Sequence, residues 1–190
     1  ALTLDQCSWS LDDGPWQEPT AVIHLMDRLL KLQRECQIRM RFDLRIEGID
    51  PAAAGISLVA ESPADCAWTV NGRPVTWQDD GWWRDEDFRR MKLGELLVPG
   101  DNRIELSRRF WQRPKVYEVL FGEGVFETEK NKLTYDTELE SLYLTGRFGV
   151  RSSAAYTGLP RRAMHTAGPF VRGAQPGRFS GGDQTPQGFC

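Results

Sequence analysis

The chain has 190 residues, a formal net charge of −3 at pH 7 and seven tryptophans, a high number for this length. A chain of this size suits one domain and can bury about 70% of its unfolded surface without cross-links. Its acidic and basic residues are interspersed, so it lacks the basic face that nucleic-acid binding requires. No apolar run approaches the ~18 residues of a membrane span. Neither nucleic acid nor a membrane is therefore predicted as a partner.

The four cysteines are Cys7, Cys36, Cys66 and Cys190. They are widely spaced, they form no CxxC pair, and the chain has only two histidines, so a zinc site is not predicted. Their spacing does not decide whether they pair, although free and mostly buried thiols are expected. The cellular compartment therefore stays open.

The first third of the chain alternates between strand and helix patterns. Leu2 and Leu4 indicate a short first strand, and a helical apolar stripe runs from Ala21 to about Glu35, with Thr20 as its cap. Gln37 to Glu47 alternates apolar and polar residues throughout, which is typical of a strand with one buried and one wet face. Ile56 to Glu61 resumes as a strand.

The middle of the chain begins with the strongest hairpin signal in the sequence. Ala67 to Val70 reads as a strand, Asn71-Gly72 as a tight turn, and Pro74 to Trp77 as the returning strand. Phe88 to Leu97 has the spacing of a helix or a single turn, and Arg103 to Leu106 reads as a strand again.

Further strands are predicted at Val116 to Phe121, Gly124 to Thr128, Leu139 to Leu144 and within Met164 to Val171. After residue 150 the chain becomes rich in Gly, Pro, Ser and Arg. We therefore expect a β-sandwich domain over residues 1–150. Residues 151–190 are expected to form a C-terminal extension, partly strand, that leads into a neighbouring domain.

The middle of the chain resembles a known family. Val70-Asn71-Gly72, the aromatic loop, Phe88, Leu96-Leu97 and the run Gly100 to Ile104 follow one another as in the galactose-binding-like jelly-roll domain. That domain is attached to bacterial glycoside hydrolases of the β-galactosidase and β-glucuronidase type.

A second run, Glu138 to Val150, is similar to jelly-roll regions of large bacterial glycosidases, with Arg147 where that family usually shows an acidic residue. The resemblance covers residues 67–150. It implies a mainly β fold, a galactose-binding-domain-like jelly-roll β-sandwich. The apolar stripe that begins at Ala21 adds one packed α-helix near the N-terminus. The resemblance supplies no catalytic residue.

Indoles and polar side chains occur together in the loops. Flat indoles pack against the C–H faces of sugars, and carboxylates or amides accept hydrogen bonds from sugar hydroxyls. The alternative is that some of these indoles close the end of the sandwich, since tryptophan is highly buried on average. The predicted ligand-binding residues are Trp77, Trp82, Trp83, Trp111, Asp80 and Asp85, with Asp79 and Asn102 also available.

Two carboxylate patterns offer other chemistry. Glu138 and Glu140 would stand about 6.6 Å apart along a strand, near the separation of about 6.5–9.5 Å in inverting glycosidases. Such a pair is also common on the wet face of strands. The acidic loop with Asp79, Asp80, Asp85 and Asp87 could bind the structural calcium that the family resemblance implies, or it could simply be solvated. No catalytic metal, nucleophilic triad or phosphate loop is predicted.

The sequence therefore predicts a non-catalytic carbohydrate-binding or accessory domain of a larger glycoside hydrolase. Its partners would be a carbohydrate and the catalytic domain of the same larger chain. The alternative is a structural domain that packs on the catalytic barrel without binding sugar itself. A third hypothesis, an autonomous glycosidase, would use Glu138 and Glu140.

Overall fold

The structure, a computed structural model, describes residues 1–152 and 164–167, with side chains through residue 150. These residues form a mainly β protein with one long and two short α-helices. The strands are β1 (Leu2–Leu4), β2 (Gln6–Leu11), β3 (Gln17–Ala21), β4 (Cys36–Ile46), β5 (Ser57–Glu61), β6 (Ala67–Val70), β7 (Arg73–Val75), β8 (Trp82–Trp83), β9 (Asp85–Lys92), β10 (Gly100–Phe110), β11 (Leu142–Thr145), β12 (Gly149–Ser152) and β13 (Met164–Ala167). The helices are α1 (Val22–Leu32), α2 (Pro114–Phe121) and α3 (Glu127–Lys130).

The strands form two sheets. The first has the order β1-β11-β5-β9-β8 and is antiparallel throughout. The second has the order β12-β13-β4-β10-β6-β7, with β2 also paired to β4 and β3 paired to β2. All its pairs are antiparallel except β13 with β4. The predicted mainly β sandwich with a packed helix is confirmed, whereas the finer jelly-roll assignment stays a prediction.

The core lies between the two sheets because apolar residues alternate along their strands. In β4 every second residue from Cys36 to Ile46 is buried, which confirms the predicted strand one residue earlier in the chain. Phe42 pairs with Ile104 of β10, and both are at most 1% exposed. Leu58 and Leu144 of the first sheet belong to the same core. Each sheet thus turns one apolar face inward and leaves its other face outward.

Helix α1 covers part of this core. Val22, Leu25, Leu29 and Leu30 are buried along one side, as the apolar stripe predicts. The helix begins after Ala21 without a side-chain cap, because Thr20 belongs to β3, and it ends at Leu32. Among the described helices none is long and apolar enough to cross a membrane.

Three predictions in the middle of the chain are wrong. Phe88 to Leu97 is not helical at its start, since strand β9 continues to Lys92 and only Gly94–Leu96 makes a single 3₁₀ turn. Pairing of β9 with β5 over five residue pairs overrides the local spacing. Val116 to Phe121 is helix α2 instead of a strand, because Pro114 starts the helix and Val116 and Val119 share its buried side.

The third wrong prediction is the strand at Gly124 to Thr128, a stretch that contains the start of α3 instead. Other predictions agree more closely with the structure. The Asn71-Gly72 turn is confirmed, with φ of 51° and 76° at the two residues, and joins β6 to β7. Strand β13 lies within the predicted Met164 to Val171 segment, whose last residues fall outside the described ones. The domain boundary at residue 150 stays a prediction.

Candidate functional site

An aromatic patch lies on the outer face of the first sheet. Leu142 and Leu144 of β11 point into the core, so Tyr143 between them points outward. The Tyr143 ring lies 5.4 Å from the Trp83 ring and 5.7 Å from the Phe88 ring, the latter edge to face. All three rings are partly exposed. We call Trp83, Phe88 and Tyr143 the aromatic patch.

The patch has a rigid base. Val59 of β5 pairs with Tyr143 on one side and Arg90 on the other, and it is 0% exposed although it does not belong to the core between the sheets. Burial on an outward face means that neighbouring side chains cover it. The rings are therefore held by packing as well as by their contacts with one another.

Three glutamates adjoin the patch. Glu61, the last residue of β5, pairs directly with Phe88 of β9, so their side chains lie on the same face. Glu138 and Glu140 precede β11, and one carboxylate oxygen from each of the three residues lies within 4.8 Å of the others. We call Glu61, Glu138 and Glu140 the carboxylate cluster. The aromatic patch and the carboxylate cluster are thus joined through Phe88 and Glu61.

The segment that carries Glu138 and Glu140 is fixed on both sides. Gln112 donates to the Thr137 carbonyl oxygen at 2.5 Å, and its own Oε1 accepts from the Asp136 N–H at 2.8 Å. Arg113 pairs with Asp136 at 2.8 Å. Leu139, between the two glutamates, is buried. The segment therefore presents both glutamates outward while it stays anchored to β10 and the loop that follows it.

Negative charge accumulates at the cluster. Burial, followed by the charges of Glu140, Glu138, Asp87 and Asp85, raises the pKa of Glu61 above its ordinary value. Burial and the charge of Glu138 likewise raise the pKa of Glu140. The hydrogen bond that Glu140 accepts from the Ser141 N–H partly offsets this increase. Like charges disfavour ionisation in this way when no cation compensates them.

The two arginines that border the cluster have other partners. Arg108 donates to the Glu138 backbone carbonyl at 3.2 Å and lies 3.8 Å from Asp65. Arg89 pairs with Asp79. Neither arginine forms an ion pair with a glutamate of the cluster.

Two depressions meet at Glu61 and Ser62. One is a cavity of about 170 Å³ whose lining includes the apolar residues Met40, Trp68 and Leu106 together with Arg108, Glu138 and Glu140. The other is an open groove of about 420 Å³ bordered by Glu86, Asp87 and Arg89. Apolar side chains and hydrogen-bond acceptors therefore line the depressions, and the aromatic patch adjoins them through Phe88, which pairs with Glu61.

The predicted tryptophans separate into different environments. Trp83 belongs to the patch, and Trp82 next to it is 51% exposed. Trp77 packs on the buried Trp68 with ring centroids 5.4 Å apart and contacts the core, so it closes the sandwich as the alternative stated. Trp111 is 39% exposed and lies under Arg109, in ring contact with no member of the patch. The structure thus does not gather the predicted indoles into one platform.

The predicted polar residues mostly brace the fold. Asp80 pairs with Lys92 at 3.1 Å and Arg90 at 3.2 Å, and the hydrogen bond from Lys92 is the main cause of its lowered pKa. The side-chain amide of buried Asn102 stabilises the 98–102 turn by donating hydrogen bonds to the carbonyl oxygens of Val98 and Gly100. Asp85 accepts the Asp87 N–H at 3.1 Å.

These contacts bear on the calcium hypothesis. Asp79 and Asp80 are neutralised by arginine and lysine side chains, which removes two of the four predicted ligands. In the part of the chain that the structure describes, the group of three or more carboxylates close enough to share a cation is the carboxylate cluster, which includes none of the predicted aspartates. Asp79 and Asp80 of the acidic loop therefore hold the loop to strand β9 through ion pairs.

The expected pairing of Glu138 and Glu140 changes in the structure. Both glutamates precede β11 instead of lying within it, and both approach Glu61. In glycosidases the environments of the two carboxyl groups push their pKa values apart, so that one is an acid and the other a base. Here burial and neighbouring carboxylates raise the pKa values of Glu61 and Glu140 in the same direction. The three carboxylate oxygens lie close enough together to accept hydrogen bonds from one donor group.

Sequence reasoning missed Glu61, Phe88 and Tyr143 as site residues. Tyr143 carried a readable signal, because it stands between two leucines of a strand pattern and must face outward. Phe88 was missed because its segment was interpreted as a helix or single turn, which does not place it on the face of a sheet. The proximity of Glu61 to both depends on the strand order β11-β5-β9.

Comparison with known proteins gives little further information. No protein-family model matches the chain, and no curated protein matches it. Among solved structures the chain is similar to a β-D-mannosidase from Dictyoglomus thermophilum, at 15% identity and a TM-score of 0.44, over 81% of this chain and 24% of that one. The chain thus spans about a quarter of the length of the structure it matches. A likeness at this level carries no functional argument, and the β-sandwich assignment rests on the two sheets themselves.

Proposed function

We propose that the protein is a non-catalytic carbohydrate-binding module whose ligand lies across the aromatic patch and the carboxylate cluster. One observation carries the proposal: the direct pairing of Phe88 with Glu61 joins aromatic rings and strong acceptors on the same outward face. Either feature alone is common on protein surfaces. Their continuity gives a surface that is apolar and hydrogen-bonding at once, as a sugar is.

The chemistry of a saccharide fits both halves of this surface. The C–H face of a pyranose packs against aromatic rings, which bring a large apolar area at little cost in conformational entropy. Its hydroxyls donate to carboxylates in charge-assisted bonds, which are stronger than neutral ones. Tyr143 and Phe88 would form the apolar wall, and the cluster would orient the hydroxyls.

The wider context of the proposal comes from the sequence resemblance. It implies an accessory domain of a larger glycoside hydrolase, with the catalytic domain of the same longer chain as its second partner. We expect the protein to show no turnover of aryl glycosides. Turnover that disappears in Glu138→Gln would instead support the autonomous glycosidase.

A fluorescence titration tests the binding function. Neutral oligosaccharides of gluco, galacto and manno configuration are added to the protein, and tryptophan emission is followed, with Trp83 as the reporter beside Tyr143. We expect a saturable change that weakens about tenfold or more in Tyr143→Ala, since loss of one stacking ring removes about 1–3 kcal/mol.

Matched variants locate the effect. Trp111→Ala removes a partly exposed indole that contacts no ring of the patch, and it should leave affinity within about twofold of the wild type. Trp83→Ala removes the reporter, so its affinity is measured by calorimetry, and it should weaken binding as Tyr143→Ala does. Absence of any response across the whole series in the folded wild-type protein would refute the carbohydrate-binding function.

Docking without sugar binding is the second candidate, and a different surface favours it. Phe121 and Phe126, at the end of α2 and the start of α3, are 42% and 75% exposed. The proposed occupant is the catalytic domain of the same longer chain. Hydrogen exchange at residues 121–130 should then be slower in the longer protein than in the isolated domain, and equal rates would contradict docking there.

A further inference from the structure

We infer that the site selects its saccharide by charge: it takes uncharged and amino-substituted sugars and excludes uronic acids and other anionic sugars. This inference rests on the proposed carbohydrate-binding function, because it concerns the class of sugar that the same surface accepts. It follows from the sign and arrangement of the charges around the aromatic patch.

Negative groups predominate where the surface that a sugar would occupy borders the carboxylate cluster. The carboxylate cluster borders the patch at Glu61, which pairs with Phe88. Asp85 and Asp87 act electrostatically on Glu61, and Glu86 lines the adjoining groove. An anionic sugar would enter a field that already disfavours ionisation of the protein's own carboxyl groups.

The neighbouring cations do not reverse this field. Arg89 is paired with Asp79, and Arg108 donates to the Glu138 backbone carbonyl and lies 3.8 Å from Asp65, with its Nε left without a hydrogen-bond partner among the described residues. Arg84 is a third nearby cation, with its guanidinium 4.8 Å from the Trp83 ring centroid. Recognition of a sugar carboxylate or sulfate calls for a guanidinium fork or ammonium that is free to bind it. Arg84 and Arg108 reduce the negative field, and six acidic groups outnumber them: Glu61, Asp85, Glu86, Asp87, Glu138 and Glu140.

The spacing of the cluster also matches a cationic substituent. Three acceptor oxygens that each lie about 2.8 Å from one tetrahedral ammonium nitrogen are about 4.6 Å apart. The three carboxylate oxygens lie within 4.8 Å of one another. An amino group on a sugar whose ring packs on Phe88 could therefore donate to all three glutamates, whereas a hydroxyl at the same place can donate to one.

The size of the preference follows from the exposure of the cluster. Glu138 and Glu140 are exposed and Glu61 is partly exposed, so solvent and salt screen each charge. One exposed ion pair changes an equilibrium up to about fivefold. Three carboxylates around one site should favour an amino sugar over its neutral counterpart by about tenfold and disfavour the uronate by a similar factor.

The test uses matched sugars that differ only in charge. Methyl glycosides of gluco, galacto and manno configuration are each supplied as the neutral hexose, the 2-amino sugar and the uronate. Affinities are measured by calorimetry near neutral pH at about 0.02 M and about 0.5 M salt, since screening shortens from roughly 20 Å to a few ångströms over this range. We expect the order amino, neutral, uronate at low salt, with the spread reduced several-fold at high salt.

The triple variant E61Q/E138Q/E140Q separates charge from shape. Its amides keep the size of the side chains and remove three negative charges, so the ratio of amino-sugar to neutral-sugar affinity should fall to near one. Equal affinities for all three sugars in the wild type, or tighter binding of the uronate, would overturn the charge selection and leave the binding function intact. If no sugar binds at all, the charge selection and the proposed function fail together.

Discussion

The outward faces of the two sheets differ in how their charged side chains are arranged. On the second sheet, charges of opposite sign face each other across strands: Arg41 pairs with Glu105 at 2.6 Å, and Arg103 pairs with Asp43 at 2.7 Å. Trp16 lies over Arg41, with the guanidinium 3.8 Å from its ring centroid. On the first sheet three glutamates converge beside an aromatic patch, Arg89 pairs with Asp79, and Arg108 lies 3.8 Å from Asp65.

On the second sheet, charged side chains compensate one another in ion pairs. On the first sheet, the three glutamates form no such ion pair with a neighbouring cation in the described part of the chain. Cross-strand pairs of opposite charge stabilise a sheet, and like charges placed together destabilise it. Both faces belong to the same sandwich, so the fold does not require the unfavourable arrangement. A ligand whose donors reach the three carboxylates would relieve it, which is why the first sheet and not the second is the candidate site.

The largest effect that separates the two faces is expected for Arg41→Ala. The substitution removes the bond to Glu105 and the contact with Trp16, and both charged side chains are only 22% and 25% exposed. We expect a loss of about 2 kcal/mol in the free energy of unfolding, measured by urea denaturation. Arg84→Ala, which removes a cation over Trp83 on the first sheet, should change it by less than about 0.5 kcal/mol. Equal losses of unfolding free energy in the two variants would contradict the difference between the two faces.

A smaller effect of opposite sign should distinguish one glutamate on each face. Glu61→Gln relieves repulsion in the carboxylate cluster and should raise the free energy of unfolding by about 0.5 kcal/mol near pH 7. Glu105→Gln weakens its bonds with Arg41 and Thr69 and should lower it by about 1 kcal/mol. Paired thermal and urea unfolding curves measure both changes. A loss of stability in Glu61→Gln would contradict the view that the cluster is unsatisfied.

The smallest effect is a difference in pH dependence. The pKa of Glu61 and of Glu140 is raised, so their contribution to stability is fully present below the ordinary value of 4.5 and is lost as pH rises through the folded value. Glu35 behaves in the opposite way. Its hydrogen bonds from Arg109 lower its pKa, so its contribution is present above 4.5 and is lost as pH falls through the folded value.

Urea unfolding across this pH range checks the sign. The double variant E61Q/E140Q should match the wild type below pH 4.5 and become progressively more stable than the wild type above it. Glu35→Gln should show the reverse, with its deficit largest at neutral pH. A double variant that loses stability with rising pH as steeply as the wild type would show that the two glutamates do not carry the dependence.

Alternation along the chain predicts the parts of this structure that depend on one strand or helix. The buried side of β4, the packed helix α1 and the turn at Asn71-Gly72 follow from local patterns, and all three are confirmed. The short apolar run Val116 to Phe121 could not be assigned in this way, since a strand and a buried helix share its composition. Its outcome depends on tertiary packing.

The site is harder to predict because it is assembled from distant strands. Tyr143 and Glu61 meet through β11 and β5, and Glu61 meets Phe88 through β5 and β9. Strand order is not encoded in any single segment. The same limit explains the tryptophans: Trp77 and Trp83 occupy similar polar loops in the sequence, yet only Trp77 finds the buried Trp68 to pack against.

Chemical-shift mapping by two-dimensional ¹H–¹⁵N NMR tests most directly whether the sugar-binding surface is the outward face of the first sheet. The protein is titrated with the neutral oligosaccharide that gives the strongest fluorescence response. Perturbed signals should cluster at Glu61, Phe88, Tyr143 and the indole N–H of Trp83, with those of Arg41 and Glu105 unmoved. Shifts centred on Arg41 and Glu105, with the first-sheet signals unchanged, would contradict the assignment.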